Sequence, residues 1–263
     1  VEAAPNSDAY VVSGRGELQL AILIETMRRE GFELGVSRPK VVFQKGENGT
    51  LLEPIEEVVI DVDEEHSGIV VQKMSERKAE MMEMRPSGGG RLRLVFHAPT
   101  RGLIGYQGEL LTDTRGTAIL NRLFHEYAPW KGDIAGRRTG VLIANDQGDA
   151  VAYAMWKLED RGPMMIEPGS KVYRGMIVGE HTRDNDLEIN VLKGKQLTNI
   201  RAAGKDEAVR LTPPIQMTLE KALAYIEDDE LVEVTPKSIR LRKMILDPND
   251  RKKAVRQKEA LAS

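Results

Sequence analysis

A chain of 263 residues, 41% hydrophobic and 30% charged, has enough apolar material for two or three domains with separate cores. It contains no cysteine, which excludes disulfides and thiolate metal sites, and no apolar run approaches the roughly 18 residues of a membrane-spanning helix. The net charge of −3 is unevenly distributed. From Lys193 onward 15 Lys and Arg stand against 11 Asp and Glu, a net +4, whereas the preceding residues carry −7. We therefore expect an anionic partner at the C-terminal end.

The first predicted elements form a β-α-β unit. Residues 9–12 and 32–43 alternate as strands, and residues 17–30 between them carry apolar side chains at helical spacing. Gly31 is placed to end the helix. The Gly-rich turn before the helix lacks the Lys and Ser or Thr of a phosphate-binding loop, so we interpret it as a tight strand-to-helix turn.

The next elements predict a ferredoxin-like plait with the order β-α-β-β-α-β. Met74, Met81 and Met82 are candidate core residues of its first helix. In chain order the predicted elements are a strand at 55–62, a helix at 67–84, a Pro- and Gly-rich turn at 86–90, a strand at 91–97, a helix at 101–114 and a strand at 117–127.

Two groups of residues in this plait have both a functional and a structural interpretation. Asp61, Asp63 and the carboxylates up to His66 could ligate a hard cation, but we favour their interaction with a helix dipole. Gly102, Gly105 and Gly108 recur at every third position. They predict a narrow helix face, suited either to close packing or to the approach of a polymer backbone.

From residue 128 the pattern becomes that of a β-rich domain with short strands between turn signals. Asp247 and Pro248 are the predicted N-cap and first residue of a terminal helix. The predicted strands are 139–144, 150–158, 176–181, 187–192, 231–234 and 239–244, with a short helix at 218–227.

A polar, basic segment at residues 193–208 has hardly an apolar side chain to hold it to a core, which predicts a long exposed loop. Its cations can neutralise phosphates, and its amides can donate to sugar or base edges. The alternative is a solvated loop without function. The candidate RNA-binding residues of the loop are Lys193, Lys195, Gln196, Asn199, Arg201 and Lys205.

A second basic group follows on the last strand and the terminal helix, and we expect it to form an rRNA-facing patch. Its members are Arg240, Arg242, Lys243, Arg251, Lys252, Lys253 and Arg256. The histidines show no metal-ligand spacing, and no nucleophile elbow or paired-carboxylate motif stands out. We therefore predict no catalytic, nucleotide or metal site within these residues.

Long motifs in this sequence resemble a known family. Residues 13–44, SGRGELQLAILIETMRREGFELGVSRPKVVFQ, look like the end of domain III of elongation factor G-class GTPases. The combination with RGLIGYQGELLTDTRGTAIL (101–120), RTGVLIANDQGDAVAYAMWKLEDRG (138–162) and DDELVEVTPKSIRLRK (228–243) resembles the BipA/TypA family of ribosome-binding GTPases. The resemblance implies an α+β multidomain chain. A partial ferredoxin-like module would span residues 1–46, a domain V-like plait 51–127, and a family-specific β-rich domain 128–263.

The same resemblance implies partners and cofactors. GTP and Mg²⁺ would bind in an upstream G domain outside these residues, so the chain would be part of a longer protein. Its partners would be the 70S ribosome, the 50S subunit, 23S rRNA and the acceptor end of A-site tRNA, with no membrane or DNA. We expect a cytoplasmic protein linked to stress adaptation and large-subunit assembly. Two alternatives from other classes are a small-molecule sensor with its site near residues 102–108 and a protein-binding scaffold.

Overall fold

The computed structural model describes residues 1–4, 8–194 and 210–262. The helices are α1 Glu17–Arg29, α2 Ser67–Glu76, α3 Tyr106–Asp113, α4 Ala152–Leu158, α5 Leu219–Tyr225 and α6 Pro248–Ala262. The strands are β1 Glu2–Ala3, β2 Tyr10–Val11, β3 Leu34–Ser37, β4 Gln44–Lys45, β5 Leu51–Asp63, β6 Glu80–Gly88, β7 Arg91–Pro99, β8 Ile119–Pro129, β9 Val141–Ala144, β10 Gly148–Asp149, β11 Lys171–Val172, β12 Met176–Glu180, β13 Leu187–Ile189, β14 Glu230–Val234 and β15 Ile239–Lys243. The predicted α+β class is confirmed. Among the described helices, none is long and apolar enough to cross a membrane.

The chain divides into two compact units. The first comprises residues 1–17 and 39–136, and the second comprises residues 18–38 and 137–263. This division differs from the predicted boundaries at 46/51 and 127/128, because the segment 18–38 belongs to the same unit as the C-terminal part of the chain.

The first unit contains the ferredoxin-like plait. β5 is its central strand and pairs antiparallel with β7 on one side and β8 on the other, while β6 pairs with the outer edge of β7. The core joins Ile60 of β5 and Phe96 of β7 to Met74 of α2 and to Tyr106 and Leu110 of α3. The β-α-β-β-α-β order follows from this arrangement, as predicted.

One strand of the plait was predicted as helix. The helix predicted for 67–84 ends at Glu76, and residues 80–88 form the edge strand β6. Met81 and Met82 are 40% and 54% exposed, so the prediction that they are core residues was wrong. The run EMMEMR does not alternate, and its Met and Glu favour helix. Pairing with β7, including a bulge between Met81 and Glu83, overrides that preference.

The second unit is built on a six-stranded sheet with the order β13-β9-β12-β15-β14-β3. β13 is parallel to β9, and the other pairs are antiparallel. On one face Val232 and Leu241 share a core cluster with Ala21 of α1 and Leu223 of α5. Over β13, β9 and β12 the opposite face is also apolar and forms a cluster with Met155 of α4.

The N-terminal segment does not form the predicted β-α-β sheet. β2 pairs with β1, so that Tyr10 lies opposite Ala3. β3 pairs instead with β14, with Val36 opposite Val232. Leu34 and Val36 thereby pack on the core cluster that also contains residues of α1 and α5. A pairing between strands nearly two hundred residues apart in the sequence leaves no local signal.

Residues 150–158, predicted as a strand, contain the helix α4 instead. Ala154 and Met155 are buried, and Leu158 packs on the same cluster, so one helical face is directed to the core. A short apolar run is ambiguous between helix and strand, and here the packing contacts follow the helical period.

Candidate nucleic-acid interface

The strand that leads into the basic segment is held by two ion pairs. Asp186, just before β13, contacts Lys243 Nζ at 2.6 Å, and its other carboxylate oxygen accepts a bond from the backbone N–H of Val141 at 3.0 Å. Within β13, the Glu188 carboxylate pairs with the Arg251 guanidinium. Beyond the strand Val191 is buried, and Lys193 is exposed. The residues that precede the basic segment are therefore fixed to the sheet and to the start of α6.

The chain on the far side of the segment is held to the same scaffold. The Thr212 N–H donates to the Glu159 carboxylate at 2.6 Å, and the Ile215 N–H donates to the Met164 carbonyl at 2.8 Å. On the near side the Val151 N–H donates to the Val191 carbonyl at 2.9 Å. Both ends of the segment thus attach to residues around α4. Of the predicted loop residues, Lys195, Gln196, Asn199, Arg201 and Lys205 lie outside the described residues.

Lys243 is an internal charge of the C-terminal unit. It is only 2% exposed and lies within 2.9 Å of carboxylate oxygens of Asp186, Asp229 and Glu230. Burial lowers the pKa of Lys243, but the charge of Glu230 and hydrogen bonds to the carboxylates outweigh it and hold the pKa above its usual value. An ammonium group in this position neutralises protein carboxylates, which argues against a direct phosphate contact.

The network extends to Arg137. Its guanidinium contacts both oxygens of the fully buried Glu230 at 2.9 and 3.0 Å and lies 4.4 Å from the ring centroid of Tyr225. Burial raises the pKa of Glu230, but the hydrogen bonds from Arg137 and the charge of Lys243 bring it below its ordinary value. Burial raises the pKa of the Tyr225 hydroxyl, and the nearby charge of Arg137 lowers it by a smaller amount.

Arg240 and Arg242 lie on the opposite face of β15 from Leu241 and Lys243, because successive side chains of a strand alternate. They border an open groove of about 680 Å³ whose lining also includes Tyr173 and Glu233. The Tyr173 hydroxyl donates to Glu233 at 2.8 Å, and both guanidinium groups lie within 4 Å of this carboxylate. Burial, and next the hydrogen bond to Glu233, raise the pKa of Tyr173. At this point of the groove Arg240 and Arg242 share the one carboxylate of Glu233.

Helix α6 begins as predicted. The Asp247 carboxylate accepts bonds from the backbone N–H groups of Asn249 and Asp250 at 2.8 and 3.3 Å, and Pro248 is the first helical residue. The bond from Asn249 is the main cause of a lowered pKa of Asp247, outweighing a small effect of burial. Arg251 points inward, donating to the carbonyls of residues 245 and 246 at 2.6 and 2.8 Å in addition to its pair with Glu188.

Three other described cations of α6 face solvent. Lys252 and Arg256 are exposed, and Lys253 pairs with Asp250 at 3.0 Å on the surface. The predicted second patch is therefore divided into three. Lys243 and Arg251 are engaged in internal ion pairs, Arg240 and Arg242 border the groove, and Lys252, Lys253 and Arg256 lie outward on the helix. The Arg251–Glu188 pair brings the start of this helix to the strand that leads into Lys193.

The alternative sites of the plait have structural explanations. Asp61 forms a two-pronged pair with Arg93 at 2.8 and 2.9 Å, which lowers the pKa of Asp61 against the effect of burial. Only Gly108 of the three spaced glycines lies within α3, since Gly105 has a left-handed φ of 72° before the helix. A Cβ at Gly102 would lie 2.9 Å from the Arg77 carbonyl oxygen. Close packing therefore explains this glycine.

The sequence did not reveal the residues on the outer face of α4. Tyr153, Trp156 and Lys157 lie on α4, and the residues that flank this helix bond to the chain on both sides of the basic segment. Tyr153 and Trp156 are three residues apart, a spacing that places two side chains on one face of a helix but on opposite faces of a strand. Because this run was predicted as a strand, the shared aromatic face was not predicted.

Family comparison places a domain boundary at residues 138/139, close to the boundary between the two compact units at 136/137. Residues 50–138 match the model of the elongation factor G C-terminus, and residues 139–248 match that of the TypA/BipA C-terminal domain. The plait thus belongs to the class of C-terminal domains found in elongation factor G. The second match specifies it further, and the chain belongs to the BipA/TypA family.

Individual relatives are similar along almost the whole chain. It is 54% identical over 257 residues to the large ribosomal subunit assembly factor BipA of Escherichia coli K12, covering 97% of this chain and 42% of that protein. Identity is 53% over 260 residues to the protein of the same name in Bacillus subtilis 168, with 98% and 42% covered. The chain therefore spans less than half the length of these curated relatives. A crystal structure from Thermus thermophilus aligns at 23% identity over 31% of this chain and 12% of that one, with a TM-score of 0.30.

Proposed function

We propose that this chain is the RNA-contacting part of a ribosome-associated translational GTPase that acts in large-subunit assembly. The relatives of the chain bear the name of large ribosomal subunit assembly factors, which motivates the choice of partner. GTP and Mg²⁺ would be held by the G domain of the complete protein. The chain described here supplies binding and orientation, with no step of nucleotide hydrolysis assigned to its residues.

The observation that carries the proposal is the anchoring of a cationic segment at both ends. Residues 193–208 contain four Lys and Arg against two Asp and Glu. The Asp186–Lys243 and Glu188–Arg251 pairs fix the chain before it, and the Thr212–Glu159 bond fixes the chain after it. Cations attached to a rigid scaffold can meet phosphates with less loss of conformational entropy than cations on a free tail.

Two finer steps belong to the same proposal. The segment would reach the acceptor end of A-site tRNA, with Lys193, Lys195, Arg201 and Lys205 on phosphates and Gln196 and Asn199 on sugar or base edges. Lys252, Lys253 and Arg256 would face 23S rRNA on the 50S subunit or the 70S ribosome. The complete protein would act in stress-linked translation if it binds the ribosome under stress conditions.

Cosedimentation of the chain with 50S subunits and 70S ribosomes at rising salt tests this function. A variant with Lys193, Lys195, Arg201 and Lys205 changed to Ala should bind more weakly, and its log–log salt slope should be flatter by about 0.7–0.9 for each lost phosphate contact. A control variant with Lys45 changed to Ala, an exposed cation of the first unit, should keep the slope of the parent chain. Equal slopes for the quadruple variant and the parent would refute the role of the segment.

A further inference from the structure

Helix α4 has an aromatic outer face that no contribution to the core explains. Ala154 and Met155 are buried on its inner side, whereas Trp156 is 48% exposed on the outer side. The rings of Tyr153 and Trp156 have centroids 6.1 Å apart and planes inclined by 39°. Lys157 Nζ lies 4.8 Å from the centroid of the Tyr153 ring.

This geometry leaves Trp156 as the ring able to accept a partner. An inclined pair at 6.1 Å is not a parallel stack, so neither ring covers the face of the other. The Lys157 ammonium lies over the Tyr153 ring, where cation–π attraction holds the charge at the edge of the aromatic pair. The three side chains together offer one aromatic surface beside one positive charge.

The surroundings of the helix favour RNA as the occupant. Leu192 and Leu211 pack on the same core cluster as Met155 of α4. Lys193, which follows Leu192, and Arg210, which precedes Leu211, are both exposed, so an exposed cation adjoins each of these two contacts with the core. Within the described stretch 137–194, Trp156 is the one large apolar side chain that is exposed, which is a narrower patch than protein partners need.

We propose that Tyr153, Trp156 and Lys157 form a stacking site for an unpaired base of single-stranded RNA. The base would lie on the indole of Trp156, and Lys157 would meet the phosphate next to it. Base stacking on aromatic side chains tolerates any sequence, because every base has a π-face. The inference deepens the proposed function and shares its class of partner, but it rests on residues outside the basic segment.

Trp156 can report on its own occupancy. The chain has two tryptophans, so a Trp130→Phe background leaves Trp156 as the source of all tryptophan emission. We expect an unstructured single-stranded RNA oligonucleotide to quench this emission and a blunt duplex of equal charge to leave it unchanged. The matched control is Trp156→Phe in the chain that retains Trp130, whose emission should not respond to the single strand.

Affinity variants separate stacking from charge. Trp156→Ala should weaken single-strand binding about tenfold without changing the salt slope, because no phosphate contact is lost. Lys157→Ala should instead flatten the slope by about 0.7, the value for single strands. Trp156→Phe keeps an aromatic ring and should retain most of the affinity. Circular dichroism of each variant, compared with the parent chain, verifies that the fold is kept.

Two results would overturn the stacking site. One is a Trp156→Ala variant that binds single-stranded RNA as tightly as the parent chain. The other is equal quenching of Trp156 emission by duplex and single-stranded RNA. Weaker ribosome cosedimentation of Trp156→Ala with normal oligonucleotide binding would indicate a protein contact instead. If the quadruple variant of the basic segment loses binding while Trp156→Ala does not, the proposed function stands and only the stacking site fails. If the parent chain binds neither RNA nor ribosomes, both proposals fail.

Discussion

Lys243 holds its ammonium group among the carboxylates of Asp186, Asp229 and Glu230 while only 2% of the residue is exposed. Removing one partner of a buried ion pair leaves uncompensated charge in a poorly solvated place. Lys243→Met should therefore lower the free energy of unfolding of the C-terminal unit by about 3–5 kcal/mol. Urea denaturation followed by Trp156 emission in the Trp130→Phe background measures this change.

The control for that variant is Lys253→Met. Lys253 also forms an ion pair, with Asp250, but both side chains are more than half exposed. Exposed pairs contribute little to stability, so this variant should unfold at the urea concentration of the parent. Equal midpoints for Lys243→Met and Lys253→Met would contradict the structural role of Lys243.

Glu230 makes the stability of the same unit sensitive to acid. Its folded pKa lies below the ordinary 4.5, since Arg137 and Lys243 outweigh the effect of burial. A carboxylate with a lowered folded pKa stabilises the fold above its unfolded pKa, and this contribution is lost as pH falls through the folded value. We expect the free energy of unfolding to decrease as pH drops below about 4.5. In Glu230→Gln the decrease should be shallower, and an identical acid profile would show that another group is responsible.

At the scale of residues, the sequence predicts local features such as charge and helix capping better than it predicts which side chains meet in the fold. The excess of cations after Lys193 is evident from composition, and the Asp247 cap is evident from its place before Pro248. Nothing local distinguishes Lys243 from Lys252. Their difference arises because the folded sheet brings Asp186, which precedes β13, and Glu230 of β14 to Lys243 of β15.

At the scale of elements, Gly102 and Gly108 belong to the same run of glycines at every third position but differ in their surroundings. A Cβ at Gly102 would lie 2.9 Å from the Arg77 carbonyl oxygen and 3.1 Å from Ile134 Cδ1, whereas a Cβ at Gly108 would meet nothing within 4 Å. Gly102→Ala should therefore destabilise the plait by about 1–3 kcal/mol through overpacking. Gly108→Ala, on the exposed side of α3, should stabilise it by about 0.5–1 kcal/mol, because alanine favours helix.

Thermal unfolding of the two alanine variants gives the sign of each effect directly. Opposite shifts of Tm are expected, downward for Gly102→Ala and upward for Gly108→Ala. Shifts in the same direction would mean that the glycines share one role, as a binding face would require.

Elements with a clean period were predictable, and elements stabilised by their neighbours were not. β7 alternates regularly and was predicted within two residues of its observed end. β6 and α4 were predicted as the opposite type. In β6 the helix-favouring Met and Glu are overridden by pairing with β7, and in α4 an apolar run takes its period from contacts such as those of Met155.

At the scale of the whole molecule, chain order predicted the plait but not the composition of the units. The plait is contiguous, so its elements meet their neighbours in sequence. β3 instead joins β14 across almost the entire chain, and residues 18–38 thereby enter the C-terminal unit. Such non-local pairing depends on which apolar faces remain uncovered after the local elements have formed, which no window of sequence reports.

The distribution of charge over the molecule leads to the last prediction. Arg251 is occupied by Glu188 and two carbonyls, and Lys253 pairs with Asp250. Among the described side chains of α6, the exposed Lys252 and Arg256 are therefore the cations best placed to meet phosphate. Lys252→Ala combined with Arg256→Ala should weaken binding to 50S subunits equally for all RNA sequences and flatten the salt slope by up to about 1.8.

Arg251→Ala should behave differently from this double variant. It should destabilise the C-terminal unit by removing the pair that holds β13, and it should lower the affinity without the slope change of a lost phosphate contact. Sedimentation with 50S subunits at several salt concentrations, together with urea unfolding of both variants, separates the two effects. A double variant with the salt slope of the parent would place the RNA-facing charge of this unit away from α6, because an electrostatic contact cannot be lost without a change in counterion release.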